Sequence, residues 1–379
     1  MRIIHTESSM GWGGQEIRVL AEAAGLAARG HDLVVLAPRE SRIYEAAGKR
    51  SLAVEALPIG RKNLAGLRAL RSWLRAHPAD IINTHSSTDS WLAALACVGL
   101  KNAPAIVRTR HVSAPVPTNL ATRWLYTRAA RAIVTTGESL KAQLIEVNHF
   151  PAERIFSVPT GIDPHRFVPG DRLAARRKLG LPERAIVVGI VATLRSWKGH
   201  RFLVDAIAAL KRPELLLVIV GDGPQRAALE GRINERGLAD AVWMPGNQDD
   251  VVPWLQAFDL FALPSYANEG VPQALIQASL CALPLVTTTV GAIAEIAIEG
   301  ETAVLVKPQD VEDTARGIAR LADDAALRAT LGANARARAQ ARFGFDAMLD
   351  QMEAIFRNVL EGRGAEGRGA ASGTPRAKR

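Results

Sequence analysis

Cysteine is nearly missing from this chain of 379 residues. The two that occur, Cys97 and Cys281, each sit inside an apolar helical pattern, which excludes a disulfide framework or a thiolate metal site and leaves them as small core residues. Aromatic residues make up only 5%. With no helix-turn-helix, zinc-finger or RNA-module pattern either, nucleic acid is not expected as a partner. No apolar run approaches the roughly 18 residues that a membrane-spanning helix needs. The opening M-R-I-I-H-T-E has neither the apolar stretch nor the small-residue cleavage site of a secretory signal, so a cytoplasmic, non-spanning protein is expected. Asp-x-Asp is absent as well, and no catalytic divalent metal or other cofactor is suggested.

What is present is an ordinary globular composition, 48% hydrophobic, in a chain long enough for two domains with full cores. The net charge of +9 is unevenly placed, with 20 basic against 12 acidic residues over 1–160, 22 against 24 over 161–360 and 5 against 2 over 361–379. A basic first half suggests an anionic partner on that side, such as acidic lipid or a phosphorylated glycan. Short apolar runs alternate with helical patterns: strands at 2–5, 31–37, 52–57, 80–84, 105–109 and 132–136, then again from 185–192 and 215–220 onward. Such alternation predicts doubly wound parallel sheets. Between them, residues 154–170 carry Pro159, Gly161, Pro164, Pro169 and Gly170, which break regular structure and read as an interdomain hinge. The helix over 61–75 sets Leu64, Leu67, Leu70 and Leu74 on one face and Arg68, Arg71 and Arg75 around the other, with Trp73 at its edge. Its leucines cover the sheet, and its outer cations can meet an anionic membrane. The closing stretch 361–379 is rich in Gly, Ala and Arg, cannot bury a core, and is expected to be a disordered basic tail.

Ligands in open α/β sheets bind outside the carboxyl ends of strands. His85 and Asp89 follow the fourth strand, and Arg110 and His111 follow the fifth, so these polar clusters are candidates for an acceptor side. The Pro-interrupted loop 113–119 borders them. The loop Thr6–Gly14 has glycines at 11, 13 and 14 but Glu16 where a dinucleotide fingerprint needs its last glycine, which argues against a nicotinamide enzyme. In the second half, S-Y-A-N-E-G-V-P-Q-A-L-I-Q-A-S (265–279) reads as a turn into a helix. Pro272 suits a first helical position, and the N–H groups there can hold a phosphate. Glu269 beside a phosphate site makes sense only if it is aimed at sugar hydroxyls.

This last stretch resembles the nucleotide-sugar signature of the retaining glycosyltransferases of family 4, which have the GT-B fold. The likeness covers roughly residues 1–360. It implies an α/β protein of two Rossmann-like domains facing an interdomain cleft: residues 1–160 on the acceptor side, 161–342 for the nucleotide sugar, and 343–360 as a helix crossing back to the first domain. It further implies that Glu269 contacts the donor sugar and that Lys198, with Arg195, grips the diphosphate. His111 then lies near the donor sugar, and the paired Gly13 and Gly14 lie over the cleft. Gly270, Val271, Pro272 and Gln273 line the phosphates, Met244 and Pro245 lie by the base, and Gln277 faces the ribose. The sequence departs from the family at Gln277, where an acid is usual, at Thr193, where the arginine is expected, and at Gly291, which stands alone where two glycines are common. Transfer from a nucleotide sugar to a cell-envelope glycan or lipid-linked acceptor of lipopolysaccharide type is the implied function, at the inner face of the cell membrane. UDP-sugars are favoured as donor, with GDP- and ADP-sugars as alternatives. A sugar-nucleotide epimerase or hydrolase on the same fold, or a silent nucleotide-binding partner, are the rivals.

Overall fold

The computed structural model describes the backbone of residues 1–112 and 114–371 and side chains up to Gly362. The first half alternates as β1 (Arg2–Thr6), α1 (Gly14–Ala28), β2 (Asp32–Ala37), α2 (Arg42–Lys49), β3 (Val54–Ala56), α3 (Leu64–Ala76), β4 (Ile81–Thr84), α4 (Ser87–Cys97), β5 (Ala105–Arg110), α5 (Leu120–Trp124), β6 (Ala132–Thr135), α6 (Glu138–Glu146) and β7 (Ile155–Ser157). The second half continues with α7 (Arg172–Leu179), β8 (Ile186–Val191), α8 (His200–Leu210), β9 (Leu215–Val220), α9 (Arg226–Glu235), β10 (Val242–Gly246), α10 (Val252–Ala257), β11 (Leu260–Leu263), α11 (Gln273–Leu280), β12 (Leu285–Thr287), β13 (Ala303–Leu305), α12 (Val311–Asp323), α13 (Ala325–Arg342) and α14 (Phe345–Ala371).

Two parallel sheets result, ordered β3-β2-β1-β4-β5-β6-β7 and β10-β9-β8-β11-β12-β13. Helices cover both faces, which is why strands such as L-L-L-V-I-V in β9 are almost continuously apolar and buried. Strand order reverses between β1 and β4 in one sheet and between β8 and β11 in the other. Each reversal opens a crevice at the carboxyl ends of its strands. α14 packs its Met348, Leu349, Met352, Ile355 and Phe356 into the core of the first sheet, and Arg29 at the end of α1 ties down Asp346 and Asp350. No described helix is long and apolar enough to cross a membrane.

The structure departs from the sequence expectations at several places. Ile155–Ser157, assigned to the hinge, pairs with β6 as an edge strand. Pro272 stands one place outside α11 as its N-cap. In α3, Trp73 is core rather than edge and donates to Glu55 at 2.6 Å, while Leu64 is exposed. Arg71 is not a free cation, because it donates to the carbonyls of Ala96 and Val98 at 2.6 and 2.7 Å. The expected disordered tail is helical up to Ala371. Residues 372–379 of that tail, and Ser113 of the loop bordering the acceptor side, lie outside the described residues.

Candidate functional site

From the second domain, the chain leaves β8 and makes a tight turn over Ser196–Lys198 before α8. Gly199 closes that turn at φ 80°, and a side chain there would run into the carbonyl oxygen of Pro264. Tyr266 N donates to Trp197 O at 2.8 Å, which laces the turn to the loop after β11. The lacing delivers Lys198 to Glu269: Nζ lies 2.7 and 2.9 Å from the two carboxylate oxygens. Glu269 is 4% exposed. A carboxylate so buried needs a cation or several donors, and Lys198 provides the cation. Arg195 does not join this pair. It is exposed, with its guanidinium 5.7 Å from the Trp197 ring centre. Gln277, on α11, is half-buried, and its side-chain amide has no hydrogen bond among the described residues. Met244 and Pro245 are half-buried in β10, their carbonyls taken by Arg226 and Gln248.

The first domain meets the second at the start of α11. Gly13 caps α1 in extended conformation, and the side-chain amide of Gln273 donates to the carbonyl of Gly14. Gly270 and buried Val271 lie against Thr136, just past β6, and Val271 N donates to Thr136 O at 3.3 Å. A Cβ on Gly270 would collide with Thr136 Oγ1 and come within 3.3 Å of His111 O. Only glycine permits this approach. Nearby, Glu295 Oε1 accepts from Glu138 N at 2.6 Å, a carboxylate of one domain capping the first turn of α6 in the other.

Behind His111 the site is buried and polar. His111 Nε2 meets His85 Nδ1 at 3.0 Å, and His85 Nε2 meets His5 Nδ1 at 2.9 Å. Burial lowers the pKa of all three, His5 to about 3. Asp89 was expected at the acceptor face, but it is fully buried as the capping box of α4, accepting from Ser86 N at 2.8 Å, His85 N at 2.9 Å and Thr6 Oγ1 at 2.7 Å. Arg110 likewise turns inward, to Tyr126 Oη at 3.2 Å and the Ala114 carbonyl. Both residues support the loops after β4 and β5 rather than line the surface. Two residues of this layer, His5 and Glu7, are not singled out by the sequence. His5 is the next-to-last residue of β1 beside the strand-order reversal, and its place directly after the apolar Ile3 and Ile4 was the available signal. Glu7 accepts from Gln15 Nε2 at 2.5 Å, Ser9 N at 2.8 Å and Ser86 Oγ. Burial first, then the charge of Asp89, pushes the Glu7 carboxyl up to about 8.

A separate cavity of about 540 Å³ lies beside α7 and β8. Of the arginines lining it, Arg172 and Arg176 pair with Asp259 at 2.6 and 2.5 Å and Arg328 donates to the carbonyls of Leu321 and Ala322, and neither Lys198 nor Glu269 lines it.

Two family models match the chain: glycosyl transferases group 1 over residues 171–338 and glycosyltransferase family 4 over 12–166. A D-inositol 3-phosphate glycosyltransferase from Stackebrandtia nassauensis is 30% identical over 308 residues, covering 75% of this chain and 69% of the relative. Against several others of that name the match spans just over half of their length, 53% to 57%. A 2-deoxystreptamine glucosyltransferase from Streptomyces kanamyceticus is 29% identical, with 71% of this chain and 78% of the relative covered. Among solved structures, HepE of Anabaena in complex with UDP-glucose superimposes with a TM-score of 0.84 at 23% identity, over 94% of this chain and 100% of that one. The two parallel-sheet domains are those of the GT-B fold.

Proposed function

The chain belongs to the family 4 glycosyltransferases, and from that premise we propose that it moves a sugar, with retention, from a nucleotide sugar to a hydroxyl acceptor. The observation that carries this reading is the Lys198–Glu269 pair, set beside Gly270 where His111 of the other domain arrives. The donor sits mainly on the second domain. Its diphosphate takes Lys198, Arg195 swung off Trp197, and the N–H groups around Gly270–Gln273. These charges stabilise the leaving phosphate as the glycosidic bond breaks, the largest electrostatic demand of the step. Glu269, no longer held by Lys198 alone, accepts from sugar hydroxyls. Gln277 accepts from one ribose hydroxyl and donates to the other, with the base near Met244 and Pro245. A leaving phosphate oxygen takes the proton of the incoming hydroxyl. UDP-sugars are the favoured donors.

For the acceptor, the basic first half favours an envelope glycan or lipid-linked sugar at an anionic membrane face. A second reading, a small cyclitol, is favoured by the names of the D-inositol 3-phosphate and 2-deoxystreptamine relatives. Incubating the protein with UDP-, GDP- and ADP-sugars and both acceptor classes separates these readings. Transfer to one class is expected. Release of free sugar or an epimer regardless of acceptor would overturn the transferase reading.

A further inference from the structure

His5, His85 and His111 form one hydrogen-bonded row across the carboxyl ends of β1, β4 and β5. At its inner end, His5 Nε2 is buried without a hydrogen-bond partner and faces Glu22 Oε1 at 4.0 Å. Glu22 is itself fixed. Oε1 accepts from Asn83 Nδ2 at 3.2 Å, and Oε2 faces Arg18 Nε at 3.5 Å, with both side chains of that ion pair fully buried. At the outer end, half-buried His111 keeps Nδ1 without a hydrogen bond among the described residues.

Three neutral imidazoles have three N–H protons for six ring nitrogens. Each of the two links takes one proton, so the third must lie at an end of the row. Placed on His5 Nε2, it points at the Glu22 carboxylate and leaves His111 Nδ1 as a bare lone pair. Burial raises the pKa of the Glu22 carboxyl, and the facing Arg18 guanidinium and the Asn83 amide lower it; with that ion pair intact, a proton placed on His111 Nδ1 turns a lone pair of His5 toward a carboxylate in dry surroundings, where like charge is poorly screened. Burial keeps all three rings neutral, so no extra proton relieves that contact.

We propose that His5, His85 and Glu22 are positioning residues that hold His111 in its Nε2–H tautomer, so that Nδ1 accepts a hydrogen bond from a hydroxyl of the bound sugar. The identity of that hydroxyl rests on the donor reading above, whereas the tautomer can be tested without it. In full-length protein carrying ¹⁵N-histidine, without ligand and at neutral pH, long-range ¹H–¹⁵N spectra are expected to report the neutral Nε2–H form for all three rings. In Glu22→Gln, Arg18 holds the amide oxygen on its own side and leaves the NH₂ toward His5 Nε2. Asn83 and the Thr109 hydroxyl that donates to it can turn to match. The row then reverses, His111 becomes Nδ1–H, and transfer falls about tenfold, the worth of one hydrogen bond, while UDP affinity holds. An Nδ1–H or doubly protonated His111 in the unmodified protein, or an unchanged tautomer in folded Glu22→Gln, would overturn the proposal. Should Glu22→Gln not fold, the unmodified protein's tautomers decide the matter. Tautomers as expected in a protein that transfers no sugar would count against the donor reading and leave the row standing.

Discussion

Lys198 and Glu269 differ in how much of each the fold depends on. Glu269 is 4% exposed and pairs with no other cation among the described residues, whereas Lys198 keeps a fifth of its side chain in solvent. Lys198→Ala and Glu269→Ala are each expected to lower kcat/KM about a hundredfold, as loss of a charge contact strengthened in the transition state does. Lys198→Ala should also lose about 2 kcal/mol of stability, because a buried carboxylate is left unpaired. Urea unfolding beside the assay separates the two effects, and unchanged turnover in both variants would reject the assignment. Glu7 gives a pH signature of its own. Its folded pKa, about 8, lies above the unfolded carboxyl value, so between about pH 5 and pH 8 the folded state keeps a proton that the unfolded chain has released. The stability from Glu7 is therefore complete at the acid end of that window and is lost as pH rises. Urea unfolding across the window should show that decline, and Glu7→Gln should flatten it.

The start of α11 is one of the places where the domains touch, and Gly270 sets how closely. Gly270→Ala is expected to leave secondary structure intact and cut transfer about tenfold or more by pushing Thr136 away. Thr136→Ala in the same chain should restore most of the rate by removing the colliding hydroxyl. No rescue would mean that the loop fails for another reason. These contacts also separate what was legible in the sequence from what was not. Long apolar strands such as Leu215–Val220 and the alternation around them announced two parallel sheets. β7 was hidden because it is three residues long and its neighbours Pro159 and Gly161 look like hinge. The motif residues Lys198 and Glu269 could be singled out, but nothing in a linear pattern brings them within 3 Å of each other. The histidine row was equally hidden. His5, His85 and His111 are far apart in the chain and become neighbours only because β4 lies between β1 and β5. Asp89 misled because a helix-capping acid and a surface acid look alike in sequence.

The two domains close on each other through Gln273 to Gly14, Val271 to Thr136 and Glu295 to the first turn of α6, while α14 straps the second half to the first core. Removing the Glu295 cap should favour the open form by about 1 kcal/mol, the worth of a helix cap. A larger radius of gyration for Glu295→Ala in X-ray scattering, with secondary structure retained, is the expected outcome. No change would mean that the other contacts hold the domains alone. In the proposed function an anionic donor docks where these domains close, on Lys198 and the first N–H groups of α11. A ligand that binds only the folded state raises its melting point, by the equivalent of about 2.7 kcal/mol at a hundred times Kd. The most direct test is thus the melting temperature with UDP, GDP, ADP and their sugars, in the unmodified protein and in Lys198→Ala. A rise with UDP and a UDP-sugar that is lost in Lys198→Ala is expected. No rise with any nucleotide, or an equal rise in both proteins, would contradict it.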